Sequence, residues 1–490
     1  MKMAENVQGG LALPTDNITE SEAAARDPWR VPEWKVSGIF ASHMVLQRDM
    51  PITVWGWCDH PGAAVCGTWD GETVTASVGA DGRFALTFSP RAASYEPTEM
   101  TVSSDFGTTV FSDILVGDVW LVGGQSNAEM KLAPCLEETP EIAADLRAEL
   151  PLRLFRQTQS GAAAHKEWHE FPARDIIDPD WTWRLPDEES AKSFSAIGYY
   201  VGRMLTEALD IPIGMVMMCA GGACLRELMP IELAHRLGYE KGANVPVAGY
   251  YNTLIAPLIG LAFKGQIFFQ GESEGIWLEM AKSYAEDLAE YVADERARFG
   301  IDFPFYNFQL SSYGEQGAKF FRHLHYVRDS QHRALSIIPG YYLAITRDVG
   351  ADPEAGDWAH STHKFEPSCR VASQILAITY GIGDPADAFS PLPVETRREG
   401  DRILLRFDYV GDGLYTPEDA PVIGFSFDGE GDDQIPAAAE ILSPDTVSVT
   451  VPEGADASRL HFCLSNIATL VRANLCGNDL PVGAFTVTVK

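Results

Sequence analysis

The stretch VGDVWLVGGQSNAEM, from Val116 to Met130, constrains the fold more than any other part of the chain. Ile114 to Val122 is rich in β-branched and aromatic residues and reads as a buried strand, and Gly123-Gly124 then lets the backbone turn without steric cost. Such a strand delivers Ser126 to its carboxyl end, the edge at which open α/β sheets hold their ligands. A helix starting just after the serine would aim free N–H groups at a developing oxyanion, which makes Ser126 the candidate nucleophile. The match to GxSxG is incomplete, since Ala128 holds the last glycine place, and an ordinary turn serine capping a helix has the same local look. The rest of the chain has to decide between them.

The surrounding texture changes twice. Residues 1–35 are polar and irregular, with at most a short helix in TESEAAARD, and read as a loosely attached leader. From Val36 to Val116, short alternating segments such as ITVWGW, TVTASV and RFALTF are punctuated by HPG, DGE and ADG turns, a spacing that predicts a small antiparallel sandwich. From Gly117 to about Pro385, apolar strands alternate with helical stretches, the pattern of a largely parallel α/β sheet. FSAIGYYVGRMLTEAL places Ile197, Val201, Met204 and Leu205 on one helical face before the strand IGMVMMCA, and GQIFFQ leads into Gly271-Glu272-Ser273-Glu274-Gly275 and an amphipathic helix from about Met280 to Arg298. A Pro- and Trp-rich insertion, about 132–189, is expected to wall a cleft. After Pro385 the β texture returns, predicting a second sandwich over 386–490.

A chain of 490 residues calls for more than one core. No apolar run is long enough for a membrane span, and Met1 to Asn17 lacks the basic start and apolar centre of a secretory signal, so a cytoplasmic location is the expectation, unless a signal has been trimmed. A formal charge of −32 argues against nucleic acid as a partner. The eight cysteines form no CxxC pair and read as reduced, mostly buried thiols rather than a metal site.

A serine nucleophile needs a base. In GDWAHSTHKFEPSCR, Asp357 and His360 form a DxxH pair that can set a carboxylate against one imidazole nitrogen while the other faces the serine hydroxyl. Asp357, His360, His363 and Glu366 also recur at intervals of three, so metal binding is a rival, and His363 is a second candidate base. In CAGGACLRE, Gly221 and Gly222 allow backbone N–H groups to approach a substrate as an oxyanion hole requires. In FFQGESEG, Gln270 offers an amide donor and Glu272 a carboxylate, and Glu272 with Glu274 also fits glycosidase chemistry.

Taken in order, these segments resemble the sialate O-acetylesterases of the SGNH-hydrolase superfamily across nearly the whole chain. MVLQRDMPITVWGW resembles the family's opening motif, GDVWLVGGQSNAEM its nucleophile block and IPIGMVMMCAGGA its glycine block. YYNTLIAPLIGLAFKGQIFFQGESEG and HSTHKFEPSCRVA resemble the Tyr-Asn and Gln-Gly-Glu-Ser block and the histidine block. The resemblance implies a three-layer α/β/α domain of SGNH-hydrolase type flanked by β-sandwich domains, and a serine esterase that needs no metal or organic cofactor. It implies Ser126 as nucleophile, His360 as general base and Asp357 as the acid. Gly222 and the Ser126 amide would line the oxyanion hole, with Gln270 where many relatives use an asparagine donor. Asn127 and Glu272 would contact substrate, and Asn252 would brace the site from behind. Where the family carries a glutamate after the glycine block this chain has Arg226, which would pair with a sugar carboxylate such as that of sialic acid or make a surface salt bridge.

The expected function is therefore hydrolysis of O-acetyl esters of sialic acids through an acetyl-enzyme. An acetyl esterase of xylan or another glycan is the nearest alternative, and a glycan-binding protein on a decayed esterase scaffold is the alternative of another class.

Overall fold

The computed structural model describes residues 31–157, 172–176, 180–313, 315–350, 359–428, 434–464 and 473–489. Its centre is a sheet of six parallel strands: β1 (Gly107–Gly124), β2 (Leu152–Gln157), β3 (Ile213–Cys219), β4 (Gly265–Phe269), β5 (Phe305–Gln309) and β6 (Tyr341–Ile345). They lie in the order β2-β3-β1-β4-β5-β6, with every neighbouring pair parallel and the short strand Trp183–Arg184 antiparallel on the outer edge of β2. Every residue of β3, β4 and β5 is buried, as strands covered on both faces must be.

The covers are four helices: α1 (Ala196–Leu209), α2 (Leu278–Phe299), α3 (Leu324–Ala334) and α4 (Phe365–Thr379). α1 packs against α4, and α2 against α3. The two pairs sit on opposite faces. Trp120 of β1 meets Tyr380 at the end of α4, whereas Phe268 of β4 meets Tyr291 of α2. Trp120 stands beside Gly265 in the register, and Phe268, three residues on, points the other way. α1 starts where Ser195 Oγ accepts from the Gly198 amide at 3.0 Å, and stops at Asp210 in the left-handed region, φ 51°. Its predicted apolar face is real, with Ile197, Val201 and Leu205 buried.

β1 is unusually long, and its two halves do different jobs. Its first half pairs antiparallel with Ser94–Ser104 of the amino-terminal β region, and its second half, from Asp118, pairs with β3. The boundary expected near 116/117 thus falls inside one continuous strand, and the amino-terminal sheets share one apolar core with the α/β unit. Beyond Pro391, two four-stranded sheets enclose a separate core that includes Ile403, Leu405, Phe425, Phe427, Val447 and Phe462.

The insertion differs from its expectation. Its described part supplies β2 to the central sheet, and no described residue of 132–189 is a wall of the cleft described below. The leader lies outside the described residues up to position 30. All eight cysteines are unpaired thiols, and among the described residues no helix is long and apolar enough to cross a membrane.

Candidate active site

The sheet order explains where the site lies. The chain leaves β1, returns as β3 on one side of it and then as β4 on the other, so a crevice opens at the carboxyl end of β1. Gly124 ends the strand at φ 128°, and a Cβ there would stand 2.1 Å from the Phe269 carbonyl oxygen, so only glycine lets β1 and β4 approach this closely. The Gln125 amide donates to that carbonyl at 3.0 Å, and Ser126 opens the helical turn Ser126–Glu129.

His360, on the loop before α4, brings Nε2 to 2.8 Å from Ser126 Oγ. That is the distance at which an imidazole accepts a hydroxyl proton. Asp357 lies outside the described residues. His363 turns away from the serine and ion-pairs through Nδ1 with Glu138, so it does not serve as the base. Glu366 pairs with Arg370, and among the described residues no group of three His, Cys, Asp or Glu side chains is placed to hold a metal.

A buried polar hub joins the serine turn to the histidine loop, and Asn127 is its centre. Its Nδ2 donates to Glu272 Oε1 at 2.5 Å and to the Ala359 carbonyl at 3.2 Å, while its Oδ1 accepts from Lys364 Nζ at 2.9 Å. Lys364 also donates to the Ser361 carbonyl at 2.6 Å, so the histidine is held on both sides of its chain position. Tyr313 OH donates to Glu272 Oε1 at 3.2 Å. Burial pushes the Glu272 carboxyl above its usual range, opposed by its bonds from Asn127 and Tyr313 and by the nearby His360. Its Oε2 is buried with no protein partner among the described residues, in a residue that forms part of the cleft wall.

The cleft over Ser126 and His360 holds about 550 Å³, within the usual range for small-molecule sites. Its lining includes the polar or small residues Gly221, Gly222, Ala243, Asn244 and Ser273 and the apolar residues Ile276, Trp277, Phe320 and Phe321. The Gly221 amide is taken by Glu129 Oε2 at 2.7 Å. Gly222, at φ 76°, is held through its carbonyl by Ser273 Oγ at 2.8 Å and Asn244 Nδ2 at 2.5 Å, which leaves its own N–H without a protein acceptor among the described residues.

Gln270 and Arg226, expected at the substrate, are not cleft walls, and neither is Asn252, expected behind the site. Gln270 is fully buried: its Nε2 donates to Glu274 Oε2 at 2.5 Å, to the Ala223 carbonyl at 3.1 Å and to Gln125 Oε1 at 3.3 Å, and its Oε1 accepts from Tyr284 OH at 2.8 Å. Its amide hydrogens are spent inside the protein, so it shapes the loop rather than reaching an oxyanion. Arg226 stands behind Trp277, its guanidinium 5.1 Å from that ring and 5.7 Å from Tyr239, with Nη1 3.0 Å from Met280 Sδ. Asn252 is buried in a helical turn and accepts the Ala173 amide at 2.8 Å through its carbonyl, away from the cleft walls. Glu274 accepts from the Leu225 amide and from Gln270 at 2.5 Å each and is not a cleft wall, so among the described residues Glu272 is the one carboxylate lining the cleft and lacks the partner a glycosidase needs.

Sequence reading missed Gln125, whose Oε1 accepts from the Gly271 and Ser273 amides at 3.2 and 3.3 Å and so ties the serine turn to the loop after β4. It also missed Tyr313 and the aromatic wall. A family model for carbohydrate esterases of the sialic acid-specific acetylesterase type matches residues 116–364, from the middle of β1 to Lys364 of the hub. The chain belongs to this family. It is 29% identical over 175 residues to the sialate O-acetylesterase of Homo sapiens, a match that spans 33% of this chain and only 32% of that protein. To the sialate O-acetylesterase of Mus musculus it is 24% identical over 409 residues, spanning 69% of this chain and 72% of the relative. Among solved structures, a carbohydrate acetylesterase from Xanthomonas citri is similar over 92% of this chain and 99% of its own, at 29% identity and a TM-score of 0.80.

Proposed function

We propose that this protein is a serine O-acetylesterase that removes acetyl groups from the hydroxyls of sialic acids, with Ser126 as nucleophile and His360 as general base. The observation that carries the reading is the 2.8 Å approach of His360 Nε2 to Ser126 Oγ at the floor of a cleft of this family. Ser126 Oγ attacks the acetyl carbonyl carbon while His360 takes the hydroxyl proton, and the amides of Ser126 and Gly222 stabilise the oxyanion. Collapse of the tetrahedral intermediate breaks the bond to the sugar oxygen, which leaves with the proton from His360. Water then gives its proton to His360 and attacks the acetyl-serine, and acetate departs as Ser126 regains its hydrogen. Asp357 is assigned to orient His360 through the other ring nitrogen. The architecture is read as an SGNH-type α/β/α domain, 117–385, between two β-sandwiches, and no step calls for a metal or cofactor.

A second reading is an acetyl esterase of neutral glycans. Arg226 favours it, because a guanidinium packed behind Trp277 is not presented to a sugar carboxylate in the cleft. Acetate release from O-acetylated sialic acids and from acetylated xylan, compared between the native protein and Ser126→Ala, separates the two. Serine-dependent release from sialic acids supports the first reading, release from xylan alone supports the second, and release from neither favours a glycan-binding role.

A further inference from the structure

We propose that Trp277 and Phe320 form a sugar-stacking subsite at the mouth of the cleft, which holds the residue next to the acetylated one, so that the preferred substrate is a glycan chain rather than a free monosaccharide. The inference rests on the esterase reading above and deepens it. Trp277 is 39% exposed, whereas the other tryptophans among the described residues are buried or, for Trp34, half-buried. Phe320 is 54% exposed. Both belong to the cleft that contains Ser126 and His360. Large aromatic surface left in water at the edge of a cleft marks a binding surface, because the same rings would gain free energy by being covered.

The indole is held in place. Arg226 lies against its ring as a cation over an aromatic face, and no carboxylate approaches Arg226 within 4 Å among the described residues, although acidic residues outnumber basic ones 69 to 37. The guanidinium is thereby committed to Trp277 and Tyr239 rather than to an ion pair. Phe320 packs edge-on against Phe321 at 4.9 Å, and Phe321 leans on Tyr313 at 5.8 Å, which connects the rim to the polar hub.

Depth separates this pair from the chemistry. Gln125, Asn127 and Glu272, which flank the serine, are buried, whereas Trp277 and Phe320 are exposed. An acetyl group at Ser126 therefore places the acetylated sugar in the body of the cleft, and the rim meets what is attached to it. The same lining carries Asn244 and Ser273, so the cleft offers both apolar and polar surface. A pyranose has the same two characters, an apolar C–H face and hydroxyl edges, and a chain of pyranoses can offer the first to the exposed rings while offering the second to the polar groups of the lining.

The test measures kcat/KM on an acetylated oligosaccharide and on the matching acetylated monosaccharide for the native protein, Trp277→Ala, Phe320→Ala and Trp277→Phe. The alanine variants are expected to lose about tenfold or more on the oligosaccharide, carried by KM, and less than about threefold on the monosaccharide, while Trp277→Phe keeps most of the native value. Equal losses on both substrates, or none, would overturn the subsite. In parallel, binding of the deacetylated oligosaccharide to Ser126→Ala is measured by isothermal titration calorimetry, with and without Trp277→Ala or Phe320→Ala. Weaker binding in either double variant supports the subsite and unchanged binding in both overturns it, even if the native protein hydrolyses no ester and the esterase reading itself falls.

Discussion

The buried and the exposed parts of the cleft are built on opposite principles. Around Ser126 and His360, Asn127, Glu272, Tyr313 and Lys364 are buried or nearly so and bound to one another, while Trp277 and Phe320 on the rim are exposed and apolar. A buried hydrogen-bond network fixes position, because each unmade bond costs about 1–3 kcal/mol, whereas an exposed ring contributes only when something covers it. On the proposed reading, the buried network sets the rate of the chemical step and the rim sets which molecule binds.

That contrast can be broken from the deep side first. Ser126→Ala and His360→Ala should each lower kcat by about a thousandfold or more, with KM little changed, as measured by acetate release. Asn127→Ala comes next: it removes the bridge to Ala359 and leaves Glu272 and Lys364 without their shared partner, so kcat should fall about a hundredfold and the protein should lose about 2 kcal/mol of stability in chemical denaturation. A loss confined to KM would show that the hub does not position the base. Gln125→Ala, which frees the Gly271 and Ser273 amides, is expected to cost about tenfold in kcat, and a stability loss with native kcat would make Gln125 purely structural.

A prediction that leaves the chemical step aside concerns stability against pH. Burial pushes the carboxyls of Glu274 and Glu295 up to about 7 and about 8. Both bind a proton more tightly folded than unfolded, so their contribution is complete below the ordinary carboxylate range and is lost as pH rises through 7 and 8. Unfolding free energy should fall by a few kcal/mol between about pH 5 and pH 8.5, and Glu295→Gln should flatten the upper part of that decline. A native protein whose stability is level over this range would contradict the assignment.

The same contrast marks what was legible in the sequence. β1, β3, β4, α1 and α2 announce themselves through long apolar or periodic runs, and the approach of Ser126 to His360 follows from two motifs that the sheet order brings together. β2 and β5 were not read: LRLFRQ sits inside a Pro- and Trp-rich insertion, and FYNFQ has only five residues with polar ones interleaved, so neither shows a period long enough to identify a strand. Gln270 looked like a donor because its type and place suited the role, and only three-dimensional contacts reveal that Glu274, Ala223 and Gln125 take its hydrogens. The charge of Arg226 points to a sugar carboxylate or a surface salt bridge, yet its neighbours are Trp277, Tyr239 and Met280. Trp277 and Phe320 gave no signal, since one aromatic residue in a sequence does not disclose whether it will be covered.

The most direct test of the account is acetate release from O-acetylated sialic acids by the native protein and by Ser126→Ala, with folding of both checked by circular dichroism. The account predicts release by the native protein that falls at least about a thousandfold in the variant. Undiminished release by folded Ser126→Ala, or none by the folded native protein on sialic acids, would contradict it.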